Sequence, residues 1–539
     1  PLMKWIIRPA VLVAAAVLLL GAAAWLVLQA ESVPAVPRPL AVEAGTREVA
    51  WLYPATSGTA WERLVLAIKR AADRLGLEAV ETRADASSPL AVPEASLRWP
   101  GGALVFRWYK LTSAWRASAW AEALAGRSPP PAAVISGSST HWAREVALAL
   151  RAQQDRLPED ERPLLLLTSA TADNVSVSRE EEESGPPLER ARGQEGEPVR
   201  LHSLYKGRTF RFCFTNRQMA SALTRFVWSS PDLRPDADPA FLVQWTDDSY
   251  SRDLFAGYQR VLDWRASDNV LQQAFALAGR GTVAAPPFAY PAWFASGFRH
   301  TGSQQMRIDS SVAPVASPNP FEARAVRDLL DVVARGEARR PLLAVTGQAG
   351  PTRRFLRDLA RSAPLTARSF VVVAGDSIGF DTVFRDRMAT WPVQELPFDL
   401  VFFCHRDPVS AEAGFDPRAK GGTNGTEGVL LYQDIVESLA LASRSSDDLK
   451  TGLEMLNYAV GRATTGPGVP LFDKEPRRQG MRQEGTGEHA VRLRPEFDGE
   501  RVLPRAALEV WVRSTEAEGL RWRRAAPVLE VGYDGEQAR

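Results

Sequence analysis

From Val49 onward the chain repeats one unit: a short apolar strand, a loop of small polar residues, then an amphipathic helix. Val49–Tyr53 reads as a strand and Pro54–Thr59 as the loop. Trp61 to Leu75 reads as the helix, with Leu64, Ile68, Ala71 and Leu75 on one face, the spacing at which helical side chains line up. The unit recurs. Ala103–Tyr109 is a strand, and Trp115, Trp120 and Leu124 sit on the helix after it. Ala132–Ile135 is a third strand, leading through Ser136-Gly137-Ser138-Ser139-Thr140 into a helix from about His141 to Arg151. Leu164–Leu167 is a fourth, ending in Thr168-Ser169-Ala170-Thr171. Such alternation belongs to doubly wound α/β folds, in which ligands sit outside the carboxyl ends of the strands.

A second set of units starts within residues 208–254. Arg208 to Phe214 alternates aromatic and polar residues, as a half-exposed strand does. Thr215 or Asn216 can then cap a helix, because a short oxygen-bearing side chain accepts the first free N–H groups. Met219, Ala222, Leu223 and Phe226 follow at helical spacing. A Pro/Asp-rich turn leads to the strand Phe241–Trp245 and the polar loop Thr246–Ser251, which holds Tyr250. Further on, Phe321–Val333 and Phe355 to Leu359 read as helices, and Pro341–Val345, Ser369–Ala374 and Phe398–Cys404 as strands. Gly428 to Arg444 and Leu453–Val460 are helical. Val491–Phe497 and Ala507–Arg513 are strand-like runs around Asp498-Gly499, a hairpin signal.

Of the 539 residues, 45% are hydrophobic, enough to bury full cores, and the net charge of +1 gives no reason to expect nucleic-acid binding. Residues 9–28 are apolar throughout, and Lys4 and Arg8 precede them. About 20 such residues span a bilayer, and flanking positive charge marks the cytoplasmic side. The expectation is a single-pass anchor in the cytoplasmic membrane with the remainder exported; a cleaved signal peptide is the competing reading. A Pro-rich tether covers 31–46. Residues 173–207, with Arg179 and the acidic run Glu180–Glu183 among Gly, Pro and Ser, read as a solvated insertion, and Ala284–Phe294 as a second. Five scattered histidines and two cysteines give no metal spacing, and no cofactor loop is present. The loop Ser136–Thr140 combines hydroxyls and glycine ahead of a helix, a setting that suits either a bound anion or ordinary capping.

The order of these pieces resembles the type I periplasmic solute-binding proteins, the branched-chain amino acid binding and receptor ligand-binding family. Phe210, Arg211, Asn216, Gln218, Leu223, Asp247, Asp248 and Tyr250 match its crossover and second-lobe entry. Ser169-Ala170-Thr171 matches its ligand loop, Gly347-Gln348-Ala349-Gly350 a second-lobe turn, and the run from Val491 to Arg513 its closing hairpin. The resemblance implies two doubly wound Rossmann-like lobes joined by crossover strands, the type I periplasmic binding fold. The apolar run and its flanking charges place an N-terminal transmembrane helix before it, with 1–8 as the cytoplasmic N-terminus, 9–29 as the anchor and 30–46 as the linker. The first lobe takes 47–213 and 398–465, the second 214–397 and 466–515, and 516–539 is a tail. A small, possibly anionic or amino-acid-like solute lies between the lobes. Thr140, Ala170 and Thr171 hold its anionic group, Tyr250 closes over it, and Ser57, Asn216 and Asp376 are further cleft residues. The family places an aspartate for an α-amino group where this chain has Asn216, and a neutral amide does not offset an ammonium charge. Partners implied are the ligand and an ABC-transporter permease or a membrane signalling protein, with no cofactor and no enzymatic step. The resemblance sets the two crossovers side by side, so Cys213 and Cys404 are read as two unpaired buried thiols, with a disulfide between them as the competing reading.

One enzymatic pattern competes. Gly375-Asp376-Ser377-Ile378-Gly379 spells the nucleophile-elbow motif of α/β-hydrolases at a strand end, with His405 or His489 as base. Solute-binding proteins often carry the similar Gly-Gly-Asp-Ser-Leu-Gly at this place as a plain strand-end turn.

Overall fold

The computed structural model describes residues 19–21, 38–82, 88–137, 139–183, 185–186, 188, 198–229, 233, 235, 240–262, 303–309, 319–335, 340–362, 370–378, 398–404, 426–453, 489–495, 509–512 and 523–524. The expected anchor, Leu453–Val460 beyond its first residue, the insertion Ala284–Phe294 and the Asp498-Gly499 turn lie outside them, save for Leu19, Leu20 and Gly21 of the anchor. Among the described residues no helix is long and apolar enough to cross a membrane.

The chain builds two α/β bodies. The first sheet contains β1 (Thr46–Pro54), β2 (Glu78–Thr82), β3 (Glu94–Trp99), β4 (Gly102–Leu111), β5 (Ala133–Ser136) and β6 (Leu164–Leu167). A small antiparallel pair, β7 (Asn174–Val175) and β8 (Val199–Arg200), follows, and β9 (Thr209–Arg211) completes the sheet in the order β2-β3-β4-β1-β5-β6-β9. From β4 to β9 the neighbours run parallel, while β2 and β3 form an antiparallel edge. Helices α1 (Gly58–Leu75), α2 (Ala117–Ala125) and α3 (Thr140–Gln153) link the strands. On one face Val49, Trp51 and Tyr53 of β1 pack on Trp61, Leu64 and Ile68 of α1. On the other, Ala50 and Leu52 pack with Trp120 of α2 and Val146 and Leu150 of α3. A central parallel strand is covered on both faces, so β1 reads as a continuous apolar run, not an alternating one.

The second sheet has β10 (Ala240–Trp245), β11 (Ser303–Ile308), β12 (Leu342–Val345), β13 (Val371–Ala374), β14 (Asp399–Cys404), β15 (His489–Pro495), β16 (Glu509–Val512) and β17 (Arg523–Arg524). Its order is β11-β10-β12-β13-β14-β15-β16-β17. The first five are parallel. Helices α4 (Asn216–Ser229) and α5 (249–262) cover one face through Met219, Leu223, Leu254 and Tyr258. Helices α6 (Pro320–Ala334) and α7 (Ala349–Ser362) cover the other through Leu329, Phe355 and Leu359. The chain then returns. Helix α8 (Thr426–Ser445) buries Val429, Tyr432, Ile435, Val436 and Leu439 in the core of the first body, beside α1.

Several expectations are corrected. Phe398–Cys404 does not cross back to the first lobe: β14 pairs with β13 inside the second sheet, where Leu400 and Phe402 complete its core, so the return to the first body comes after Cys404. The strands around Asp498-Gly499 are not a hairpin, because β15 and β16 run parallel. The ends of the 173–207 segment are folded, since Val175, Val199, Leu201, Leu204 and Tyr205 are buried in the first core, which the average composition concealed. Cys213, by contrast, is the free buried thiol of the favoured reading: it donates to the Ala170 carbonyl oxygen at 3.4 Å, and the competing disulfide with Cys404 is absent. Burial pushes its pKa up to about 12, against the pull of Arg211.

Candidate functional site

Five parallel strands of the first sheet point the same way, so the loops after them share one edge. Ser57 follows β1, Thr140 follows β5, Ala170 and Thr171 follow β6, and Asn216 follows β9. Hydrogen bonds join these loops. Thr168 N–H donates to Ser136 O at 3.1 Å and Ser169 N–H to Gly137 O at 3.1 Å. Gly137 has φ of 109°, and an added Cβ would lie 3.2 Å from Thr168 N. A side chain there would force the two loops apart, and that backbone region favours glycine. Asn216 N–H donates to Thr171 O at 2.8 Å, which ties the start of α4 to the ligand-loop candidate. Behind the edge, the Tyr53 hydroxyl contacts Thr168 Oγ1, and Tyr432 OH lies 3.4 Å from Tyr53 OH.

The capping reading of the Ser136–Thr140 loop is met by Ser139, whose Oγ accepts from Trp142 N–H at 3.4 Å. That leaves Thr140 Oγ1 without a hydrogen-bond partner among the described residues, although Thr140 is only 3% exposed. Thr171 Oγ1 and Ser136 Oγ are in the same condition, and both residues are fully buried. A buried hydroxyl left unpaired costs about 1–3 kcal/mol. Native structures seldom retain such groups without a reason. Ser136 was not singled out by sequence, where it reads as the last strand residue. Ser57 is half-buried at the start of α1 and makes no side-chain cap. Asn216 is fully buried: its Nδ2 donates to Asp253 Oδ2 at 3.0 Å and Tyr250 O at 3.4 Å, which fixes the amide so that Oδ1 has no partner among the described residues.

Tyr250 and Asp376 lie at the carboxyl edge of the second sheet, after β10 and β13. The Tyr250 ring is buried in the second core and its hydroxyl donates to Asp376 Oδ1 at 2.9 Å while accepting from Ser377 N–H at 3.3 Å. Burial, then the charge of Asp376, pushes the Tyr250 pKa well above its ordinary value, so the phenol stays protonated. Tyr250 thus braces the β13 turn. Ser377 Oγ donates to the Gly347 carbonyl at 2.7 Å, a bond that a nucleophile held by a histidine would not make. Incubation with a serine-directed fluorophosphonate is expected to leave Ser377 unlabelled; modification at that residue, read by peptide mass, would revive the hydrolase reading.

No protein-family model matches the chain, and no curated protein matches its sequence. Among solved structures, the chain is similar to an ABC transporter substrate-binding protein from Desulfitobacterium hafniense, at 15% identity and a TM-score of 0.44, over 80% of this chain and 94% of that one. It is similar to the branched-chain amino acid transporter substrate-binding protein of Streptococcus pneumoniae in complex with isoleucine, at 12% identity and a TM-score of 0.44, over 80% and 93%. A solute-binding protein of an ABC transporter from R. palustris in complex with 4-hydroxybenzoate is similar at 10% identity and a TM-score of 0.39, over 76% and 84%.

Proposed function

We propose that this protein captures a small solute outside the cytoplasmic membrane, between its two α/β bodies, and hands it to or reports it to a membrane partner such as an ABC-transporter permease. The observation that carries this reading is the group of three buried hydroxyls, on Ser136, Thr140 and Thr171, that have no partner among the described residues. They stand at the carboxyl edge of a parallel sheet, where α/β folds bind ligands. Thr171 also adjoins Asn216, where the chain leaves the first body for the second. A ligand carboxylate or amide would accept or supply the missing hydrogen bonds. Asn216 bears no charge to offset an ammonium group, so carboxylates and amides fit better than zwitterionic amino acids.

A membrane-tethered sensor is the second reading, favoured by the segment before β1. The carbonyls of Leu40 and Ala41 are held by Arg107 and Arg127, so the chain entering the first body is pinned to it.

A thermal-shift screen of the full chain in detergent against small carboxylates, amides and amino acids tests the proposal. A ligand at about 100 times its dissociation constant adds about 2.7 kcal/mol, enough for a rise of several degrees. Thr171→Val and Thr140→Val are expected to abolish the response. Each also raises the unliganded stability by up to about 1 kcal/mol, because a methyl replaces an unpaired hydroxyl. An absence of any shift, or valine variants that respond as the parent does, would remove the proposal.

A further inference from the structure

We propose that Asp253 is a positioning residue that clasps the two bodies at the loop carrying Thr171, and that proton uptake by Asp253 tightens the clasp. The proposal deepens the solute-binding reading and rests on it for its purpose, since the clasped loop is the one assigned to the ligand.

Asp253 projects from α5, whose Leu254, Phe255 and Tyr258 are embedded in the second core. Its carboxylate bonds to the first body. Oδ2 accepts Asp173 N–H at 2.9 Å, and Oδ1 accepts Asn174 N–H at 3.1 Å and Asn174 Nδ2 at 3.3 Å. Val175, the next residue, belongs to the first core, so this grip spans the two bodies. The same carboxylate accepts from Asn216 Nδ2 at 3.0 Å, at the start of the connecting helix α4. One side chain therefore fastens the segment just after Ala170-Thr171, and the crossover, to the second body. Gly257 allows the approach, because an added Cβ on it would lie 3.3 Å from the Asn216 carbonyl oxygen.

The electrostatics around this carboxylate are unusual for a bond between bodies. All its donors are uncharged amides. Asp173 faces it from the first body with its own carboxylate turned to Arg211 at 2.8 Å. Arg211 is fully buried and also donates to Ala172 O at 2.9 Å, so its charge is directed at Asp173 and the backbone. On α4 the adjacent cation is Arg217, and on α5 it is Arg252, which donates to Thr246 O at 2.7 Å. Burial, and then the neighbouring Asp173, push the Asp253 pKa up to about 6, while the amide donors pull it back.

The sign follows from linkage. Released into solvent, the carboxyl returns toward its ordinary value of 3.8. The clasped state then binds the proton more tightly than the released state. The contribution is fully present below the released value and is lost as pH rises through about 6. From about pH 7.5 to about pH 5, the ratio of clasped to released protein should rise about tenfold.

Hydrogen exchange read by mass spectrometry on the full chain, with no ligand added, tests this. After division by the intrinsic exchange rate, protection of the Asp173 and Asn174 amides is expected to rise about tenfold between those two pH values. The amides of β13 should not change with them. In Asp253→Asn, which keeps the size and removes the titration, the rise should vanish. Asp173→Asn provides a second variant: without the like charge, the rise should move to lower pH. Flat protection in the parent, an undiminished rise in Asp253→Asn, or an unmoved rise in Asp173→Asn would each overturn the proposal. No ligand enters this experiment, so a failed ligand screen and a failed clasp are separate results.

Discussion

Glu48→Ala is expected to lower folding stability by about 3–5 kcal/mol, the cost of stranding buried charge. Glu48 lies in β1 with its carboxylate wholly inside the first body. Its Oε2 accepts from Arg107 Nη1 at 2.6 Å and Arg127 Nη1 at 3.0 Å, and Oε1 accepts from Arg127 Nη2 at 3.0 Å and Tyr109 OH at 3.2 Å. Burial opposes the charge on Arg107, but Glu94 at 2.8 Å and Glu48 outweigh it and hold the guanidinium pKa above its ordinary value. Removing Glu48 leaves Arg107 with Glu94 and takes from Arg127 its acidic partner, where both cations have little water available. Exposed ion pairs such as Arg179–Glu183 contribute far less, at most about 1 kcal/mol. A urea midpoint for Glu48→Ala within error of that for Glu183→Ala would show that the pair network carries no such weight. A local effect accompanies the global one. Arg107 and Arg127 bind the Leu40 and Ala41 carbonyls, and Leu40 N–H donates to Tyr109 OH at 3.3 Å, so the variant should also release the Leu40 amide to exchange.

The parts of this fold legible in sequence are those where burial imposes a continuous apolar run. Val49–Tyr53, Leu164–Leu167 and Phe370–Ala374 are covered on both faces and stand out from their polar loops. Three strands that escaped notice lie at or beside a sheet margin. Glu78–Thr82 and Glu94–Trp99 mix charged and apolar residues in the antiparallel margin of the first sheet, and Ser303–Ile308 is mostly polar at the other sheet's edge. The topology of β14–β16 was not legible because strand direction depends on pairing partners far away in sequence, and an Asp-Gly step is only a local preference.

The candidate site was legible to the extent that strand ends are legible. Once β5 and β6 are neighbours, Thr140, Ala170 and Thr171 must share an edge. What the sequence withheld is which hydroxyls are already satisfied. Ser139 performs the capping, which frees Thr140, and Ser136 joins the unpaired set only because its strand end is buried. Asp253 gave no signal at all: it sits on the exposed-looking stripe of a helix, and its role arises from the approach of Asp173 and Asn174, about 80 positions earlier. Tyr250 reads in sequence as a polar-loop residue over the ligand, while the fold places its ring in the second core and its hydroxyl on Asp376.

Trp51→Ala should be the most damaging single truncation in the first body, at about 3–5 kcal/mol for the lost bulk. Its ring stacks on Tyr53 with centroids 4.1 Å apart and meets Trp108 edge-on at 5.2 Å, Trp61 at 5.5 Å and Tyr432 edge-on at 6.4 Å. Each such pair adds about 0.5–1.5 kcal/mol beyond area burial. These four partners come from β1, β4, α1 and α8, so the ring joins the returning helix to a body whose other parts lie far earlier in the chain. The expected signature is therefore selective as well as large. Amides of α8 should exchange faster in Trp51→Ala at pH and denaturant where those of β10, β12 and β13 are unchanged. Uniform loss across both bodies would mean that α8 is not a separately docked element. The same ring supports Tyr53, whose hydroxyl contacts Thr168 one residue before Ser169-Ala170-Thr171. A Trp51→Phe variant, which keeps an aromatic face in the stack, should retain most of the stability and leave the loop placed for its ligand, whereas the alanine variant should lose ligand response even under conditions where it remains folded.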